Sequence, residues 1–324
     1  MKSSTVPVPE PRPIPVYRTL AEIPADFGPS IATVGNFDGV HLGHQGLLTG
    51  AADQARALGI RSIAITFDPH PAQFLYPDVA PKLLTFLPQR LELLARTGVD
   101  AILVLHFDAA LSRVTAREFA RDVLAHRLAV RGMHEGPSFR FGHGARAGVN
   151  ELAEFGAEFG FQVQVHPVVR LHGLDVSSSA VRALVAAGDV RRTRWMLGRT
   201  FSVVSTPAHG RGIGTRLLVP TVNLAPYAGL LPGFGVYVTR LTVGERCFHA
   251  VTNVGNRPTF GEASFAVESH ILDFEPIDLN EDTPLKLEFL MRLRAEIEWP
   301  SSEALKGQIL KDVAKAQRYF RLLA

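Results

Sequence analysis

A single cysteine, Cys247, is all that the 324-residue sequence contains. An intrachain disulfide is therefore excluded, and nothing marks an oxidising compartment. No apolar run approaches the roughly 20 residues that a bilayer span requires. The N-terminal MKSSTVPVPEPRPIPVY lacks the apolar stretch of a signal peptide. Its Pro7, Pro9, Pro11, Pro13 and Pro15 favour an extended arm over residues 1–16. Charge of one sign is also scarce. Lys and Arg total 34 and Asp and Glu 31, a formal net charge of +3, too small to argue for nucleic-acid binding. Neither a membrane nor a nucleic-acid partner is expected, and the cytoplasm is the expected location. Cys247 falls in an apolar stretch and is expected in the core rather than in catalysis.

What is present suggests two domains, by length and by a change of pattern. From residue 17 to 186 short apolar runs alternate with helix-like segments. Strands are expected at 31–34, 63–67 and 101–107, and helices at 45–58, 88–97 and 115–128, with Thr115 and Glu118 forming a capping box. This rhythm implies a Rossmann-like parallel sheet with right-handed crossovers. From 200 to 324 strands follow one another at 201–205, 235–243, 247–254, 265–274 and 285–293, as in an antiparallel β-barrel. A terminal helix over 302–322 carries Leu305, Ile309, Val313, Ala316 and Phe320 on one stripe. Residues 187–199 read as the linker.

The sharpest local signal is IATVGNFDGVHLGHQGLL, residues 31–48. A buried strand runs through a loop holding Gly35, Gly39 and Gly43 into a helix. Such a strand-to-helix turn is an anion site, because backbone N–H groups and the helix dipole point outward there. His41 and His44 can neutralise charge on a transferring phosphoryl group. A solvated pair of surface histidines is the bland reading. Zinc is another, but no Cys or carboxylate cluster completes a ligand set. Asp68-Pro69-His70-Pro71 follows a second strand, where open α/β sheets place ligands. Later, Ser177 and Ser179 stand at a helix start with Arg182 one turn on. They make either a simple serine cap or the second jaw of a triphosphate clamp.

The second half carries AHGRGIGTRLLVPTVNLAP, residues 208–226. Gly210, Gly212 and Gly214, with Arg211 and Arg216, can arch over phosphates or be an ordinary loop. Thr221 and Asn223, two apart on an extended segment after Pro220, offer hard oxygen ligands suited to Mg²⁺. Glu268 shares a strand face with Ala266, His270 and Leu272. It reads as a general base for a primary hydroxyl or as a rim carboxylate.

These motifs resemble a known family. HLGH with SSSAVR is similar to the paired signatures of the HxGH nucleotidyltransferases. GNFDGVHLGHQ followed by TFDPHP resembles the FMN adenylyltransferase half of prokaryotic bifunctional riboflavin kinase/FAD synthetase. PTVN, GVY, VTNVGNRPTFG and VESHILDF resemble its riboflavin kinase half. The resemblance implies a chain that makes FMN from riboflavin and ATP, then FAD and pyrophosphate from FMN and ATP, with Mg²⁺ as cofactor. It assigns ATP binding in the first half to Gly35, Asn36, Phe37, Asp38, His41, His44, Ser177, Ser179 and Arg182, with Asn36 and Asp38 beside the reacting phosphate. Flavin falls to Asp68, Pro69 and His70. In the second half it gives ATP to Gly210, Gly212, Gly214, Pro220, Thr221 and Asn223, metal to the last two, and the base role to Glu268. The chain departs from the family at Ser138, at Leu218-Val219 before Pro220, and at Asn280-Glu281, where Tyr-Gly is usual. The departures at Leu218 and Asn280 leave open a monofunctional FMN adenylyltransferase whose second domain binds flavin without phosphorylating it, whereas Ser138 bears on flavin or ATP affinity in the first site. A flavin- or nucleic-acid-binding regulator would rest on Arg191, Arg192, Arg194 and Arg199 alone.

Overall fold

A computed structural model describes residues 13–208, 221–256, 265–273, 279–297 and 299–323. The chain forms two compact units that divide between Ser178 and Ser179. Among the described residues no helix is long and apolar enough to cross a membrane.

The first unit is built on six parallel strands, β1 (Val16–Tyr17), β2 (Ser30–Val34), β3 (Arg61–Asp68), β4 (Ala101–His106), β5 (Val130–Glu135) and β6 (Gln162–Val165). Their order across the sheet is β1-β4-β3-β2-β5-β6. All five residues of β2 are buried, as a central strand covered on both faces requires. The helices are α1 (Leu42–Leu58), α2 (Pro71–Leu75), α3 (Leu87–Ala95), α4 (Ala116–Glu118) and α5 (Val149–Phe159). The Thr115–Glu118 capping box forms at α4, which runs on with wider turns as Phe119–Arg127. A short hairpin, β7 (Arg170–Leu171) and β8 (Leu174–Asp175), closes the unit. The chain proceeds outward from β2 to β3 and β4, then returns to the other side of β2 for β5. The strand order therefore reverses between β2 and β5, and such a switch point opens a crevice at the carboxyl ends of the strands.

Strands β1, β5 and β6 lie outside the sequence expectation, which named only β2, β3 and β4 of this sheet. β5 reads VRGMHE, and its buried His134 and Glu135 break the apolar run that marks an interior strand. The helix expected from residue 45 starts three residues earlier because His41 caps it. The His44 N–H donates to His41 Nδ1 at 3.2 Å.

In the second unit, α6 (Ser178–Ala186) and α7 (Val190–Leu197) precede the sheet. The stretch expected as a linker thus holds a helix, which packs on the strands of its own unit. The strands are β9 (Phe201–Ser205), β10 (Thr221–Asn223), β11 (Gly235–Val243), β12 (Arg246–Asn256), β13 (Phe265–Ile271) and β14 (Leu285–Ala295). They are antiparallel in the order β10-β13-β12-β11-β14-β9. The edges meet where the Ala208 N–H donates to Asn223 O and the Ala225 N–H to Thr206 O, each at 2.8 Å, which closes the barrel. Its interior holds Phe201, Val203, Val222, Leu287 and Phe289, and also a chain of buried hydroxyls. Thr239 and Thr252 Oγ1 are 2.6 Å apart, and Thr252 Oγ1 lies 2.9 Å from Ser269 Oγ, so each satisfies the next.

Helix α8 (Ser302–Leu323) covers the outside of the barrel. Ala316, Phe320 and Val313 pack against Val236, Val238, Val251 and Leu272. The buried Asp312 is held by Arg294 Nε at 2.8 Å and Gln308 Nε2 at 2.9 Å. The expected stripe is corrected at its start, where Leu305 and Ile309 stay exposed because only the later turns reach the sheet. Cys247 is corrected as well. It is exposed, since strand alternation buries Phe248 and turns Cys247 outward.

Candidate active sites

The turn after β2 is fixed almost residue by residue. The Val34 N–H donates to Glu135 Oε1 at 2.7 Å, and the Gly35 N–H to Ile65 O at 3.0 Å. Asn36 O accepts from Thr66 Oγ1 at 3.3 Å and from Arg90 Nη1 at 3.0 Å. The Asp38 carboxylate is 1% exposed and faces inward. It accepts from the Leu84 N–H at 3.0 Å and from the Thr85 N–H and Oγ1 at 2.9 and 3.2 Å. Thr85 Oγ1 in turn accepts from the Gly39 N–H at 3.0 Å. Asp38 thus ties the turn to residues 84–85. Phe37 is buried in the core, with its ring edge-on to His44 at 5.3 Å.

Gly39 has φ +82°, and a Cβ there would meet Leu84 at 2.8 Å. At Gly43 a Cβ would stand 3.1 Å from the His41 ring, so glycine lets that imidazole lie over the helix start. The His41 and His44 rings stack with centroids 3.6 Å apart. Because His41 Nδ1 accepts the His44 N–H, the proton of its neutral ring sits on Nε2. Two imidazoles are thus gathered at a helix N-terminus, the arrangement suited to an anion.

Ser178 Oγ donates to Asp38 O at 2.8 Å, which brings the segment ending at Ser177 and Ser178 against this turn. Ser179 and Arg182 follow on α6. At the end of β3, His70 caps α2, its Nδ1 accepting from the Ala72 N–H at 3.1 Å. Asp68, half exposed, lies 3.9 Å from Arg90 Nη2. Pro69 joins the two.

Three buried polar groups under this crevice were not foreseen. Arg90 is 1% exposed, and burial pulls its pKa down while the charges of Asp38 and Asp68 hold it up. It sits on the apolar stripe of α3, between Leu87 and Leu94 at helical spacing, and a charge on such a stripe is the signal that could have found it. Glu135 is also 1% exposed. Burial pushes its carboxyl well above the ordinary range, against the lowering effect of the Val34 N–H. His134 is pushed down to about 4 by burial and by neighbouring His166. Its Nε2 faces Gln54 Oε1 at 2.7 Å and its Nδ1 faces His166 Nε2 at 2.8 Å, so His134 is held as a neutral ring donating to Gln54.

The second set lies within strands. Asn223 on β10 stands directly opposite Glu268 on β13, and Thr221 opposite His270. On the other flank, Asn253 of β12 also faces Glu268. Directly paired residues share a face. Hydroxyl, two amides, carboxylate and imidazole therefore form one patch on the outer side of the barrel. Asn223, Asn253, Glu268 and His270 are half-buried and Thr221 is exposed. Burial lowers the pKa of His270, which favours its neutral ring. Asn253 was not singled out from sequence, although strand pairing places it in the row. Asn280 folds back on its own turn, accepting from the Asp282 N–H at 3.1 Å and from Thr283 Oγ1 at 2.8 Å. Gly210, Arg211, Gly212, Gly214, Arg216, Leu218 and Pro220 lie outside the described residues.

Comparison with known proteins matches each unit to a family model. Residues 23–180 match FAD synthetase and residues 197–320 match riboflavin kinase. The chain is 36% identical over 288 residues to a bifunctional riboflavin kinase/FMN adenylyltransferase of Pseudomonas fluorescens, covering 89% of this chain and 92% of that protein. It is 33% identical over 293 residues to the protein of the same name from Escherichia coli K12, covering 90% and 93%. Among solved structures, one described as a macrolide-efflux protein from Streptococcus pneumoniae shares the fold, with a TM-score of 0.82 at 24% identity over 93% of this chain and 98% of that one. The chain belongs to the bifunctional riboflavin kinase/FMN adenylyltransferase family.

Proposed function

We propose that the chain makes FAD in two steps, phosphorylating riboflavin to FMN in the barrel (200–324) and adenylylating FMN in the parallel-sheet domain (17–186). The observation that carries this reading is that each compact unit holds its own donor set, stacked imidazoles at a helix start in one and the Asn223–Glu268 pair in the other. The cytoplasm, which supplies ATP, is the proposed place of work.

In the barrel, Glu268 takes the proton of the ribityl 5′-hydroxyl as that oxygen attacks the γ-phosphorus of ATP, and ADP leaves. Asn223 and Asn253 flank Glu268 on the neighbouring strands. The hydroxyl of Thr221 and the amide oxygen of Asn223 are hard donors that would hold Mg²⁺, which would supply charge neutralisation to the ATP phosphates. Gly210, Gly212, Gly214 and Pro220 are assigned to the phosphates of the same nucleotide.

In the first unit, an oxygen of the FMN phosphate attacks the α-phosphorus of a second ATP and pyrophosphate leaves. Gly35 to Asp38 shape the turn and His41 and His44 neutralise the phosphates at the helix start, while Ser177, Ser179 and Arg182 are assigned to ATP by the family resemblance. Asp68, Pro69 and His70 line the flavin side. Incubation of the pure chain with riboflavin, ATP and Mg²⁺ tests both steps, with FMN expected first and FAD after it. Absence of both products overturns the proposal. FAD from added FMN but none from riboflavin leaves a monofunctional adenylyltransferase.

A further inference from the structure

Arg90 makes two hydrogen bonds that end on two different segments. Nη1 donates to Asn36 O at 3.0 Å, in the turn that leads to His41 and His44. Nη2 donates to Phe67 O at 2.9 Å, one residue before Asp68-Pro69-His70. A guanidinium is planar and rigid, so two carbonyls bound to one such group are held at a set spacing. A lysine in the same place would offer a compact charge with rotating donors and no fixed fork.

The location makes this costly. The arginine is 1% exposed; its ion-pair partner Asp68 is 3.9 Å away and half exposed, and the buried Asp38 adds a second opposing charge, so the cost of burying the cation is offset only in part. An apolar residue between Leu87 and Leu94 would serve the core of α3 without that cost. What the arginine adds is the clip between the two strand exits.

We propose that Arg90 is a positioning residue for adenylyl transfer, setting the spacing between the nucleotide turn and the flavin segment. The proposal rests on reading the first unit as the adenylyltransferase. The new bond joins an FMN phosphate oxygen to the α-phosphorus of ATP. The bond to the bridging oxygen of the β-phosphate breaks, and pyrophosphate leaves with that electron pair. The reacting atoms must meet within about 3–3.5 Å, and a misplacement of about 1 Å costs roughly 100-fold in rate. Loosening the clip therefore acts on turnover before it acts on the binding of either substrate alone.

The test uses the full chain carrying Arg90→Met or Arg90→Lys, with kcat and KM for FMN adenylylation, thermal melts, and riboflavin phosphorylation as an internal control. Arg90→Met is expected to lower kcat by roughly 100-fold while both KM values stay within about threefold. Arg90→Lys keeps the charge but loses the fork and is expected to stay within about tenfold of Arg90→Met. FMN production should match the wild type in both. A folded variant with kcat within about threefold of wild type, or a raised KM at unchanged kcat, would overturn the proposal. If Arg90→Met does not fold, Arg90→Lys decides by the same criteria. Wild-type chain that makes no FAD from FMN would instead refute the reading of the unit and remove the basis for Arg90's role.

Discussion

In the first unit the polar groups of the site cluster where strands end and helices begin, whereas in the second they sit inside strands. The loop at 34–39 keeps its shape through Glu135, Thr66, Arg90 and Thr85, which come from distant parts of the chain. The Asn223–Glu268–Asn253 row is laid out by backbone register. A loop site therefore depends on buried side chains that never touch substrate, while a strand site depends on pairing that any compatible side chain preserves. Substitution near the first site should spread its effect, and substitution near the second should act only on the residue changed.

The largest effect separates the two most sharply. Glu268→Ala removes the proposed base and is expected to slow riboflavin phosphorylation by about 100- to 10,000-fold, with FAD formation from added FMN unchanged. Product chromatography after each half-reaction reads this, and a matching loss of FAD formation would break the comparison. His44→Ala should lower FAD formation by roughly 100-fold and leave FMN formation intact in the same assay. Thr85→Val touches no substrate in this account, yet it removes the hydroxyl that bonds both Gly39 and Asp38. Adenylylation should fall about five- to tenfold, the equivalent of roughly one hydrogen bond; unaltered kcat and KM would mean that the turn does not need its pins.

The smallest effect is on stability. Burial raises the Glu135 pKa in the folded state, so the native chain keeps a proton that the unfolded chain has released. Its contribution is therefore complete at low pH and is lost as pH rises from the ordinary carboxylate range toward the folded value. Glu135→Gln keeps an acceptor for the Val34 N–H and cannot ionise. Its melting temperature relative to wild type should rise between about pH 5 and about pH 8. A difference that stays constant across that range would contradict the assignment.

The same contrast governs what was legible in the sequence. Alternation within strands announced the barrel, and with it the face shared by Glu268 and His270, because register acts over neighbouring residues. The glycines and histidines of 31–48 announced the turn. The pins did not announce themselves. Arg90 is marked only as a charge on the apolar stripe of its helix, which does not name its partners, and Glu135 ends a strand too polar to be recognised as one. Asp38 reads as a group beside phosphate, but its carboxylate is taken by the N–H groups of residues 84–85. Each role is decided by what the fold brings near, over separations that no local pattern carries. Cys247 shows the limit of local reading in the other direction, since its apolar neighbourhood in sequence suggested the core while strand alternation put it on the exposed side.

Mixing the two single-site variants tests most directly whether one chain carries two independent sites. His44→Ala should make FMN from riboflavin with FAD formation slowed by roughly 100-fold, and Glu268→Ala should make FAD efficiently only from supplied FMN. Combined with riboflavin, ATP and Mg²⁺, the pair is expected to accumulate FAD faster than either makes it alone. A mixture that forms FAD no faster than either variant alone, or a single variant that lacks both half-reactions while still folded, would contradict the account.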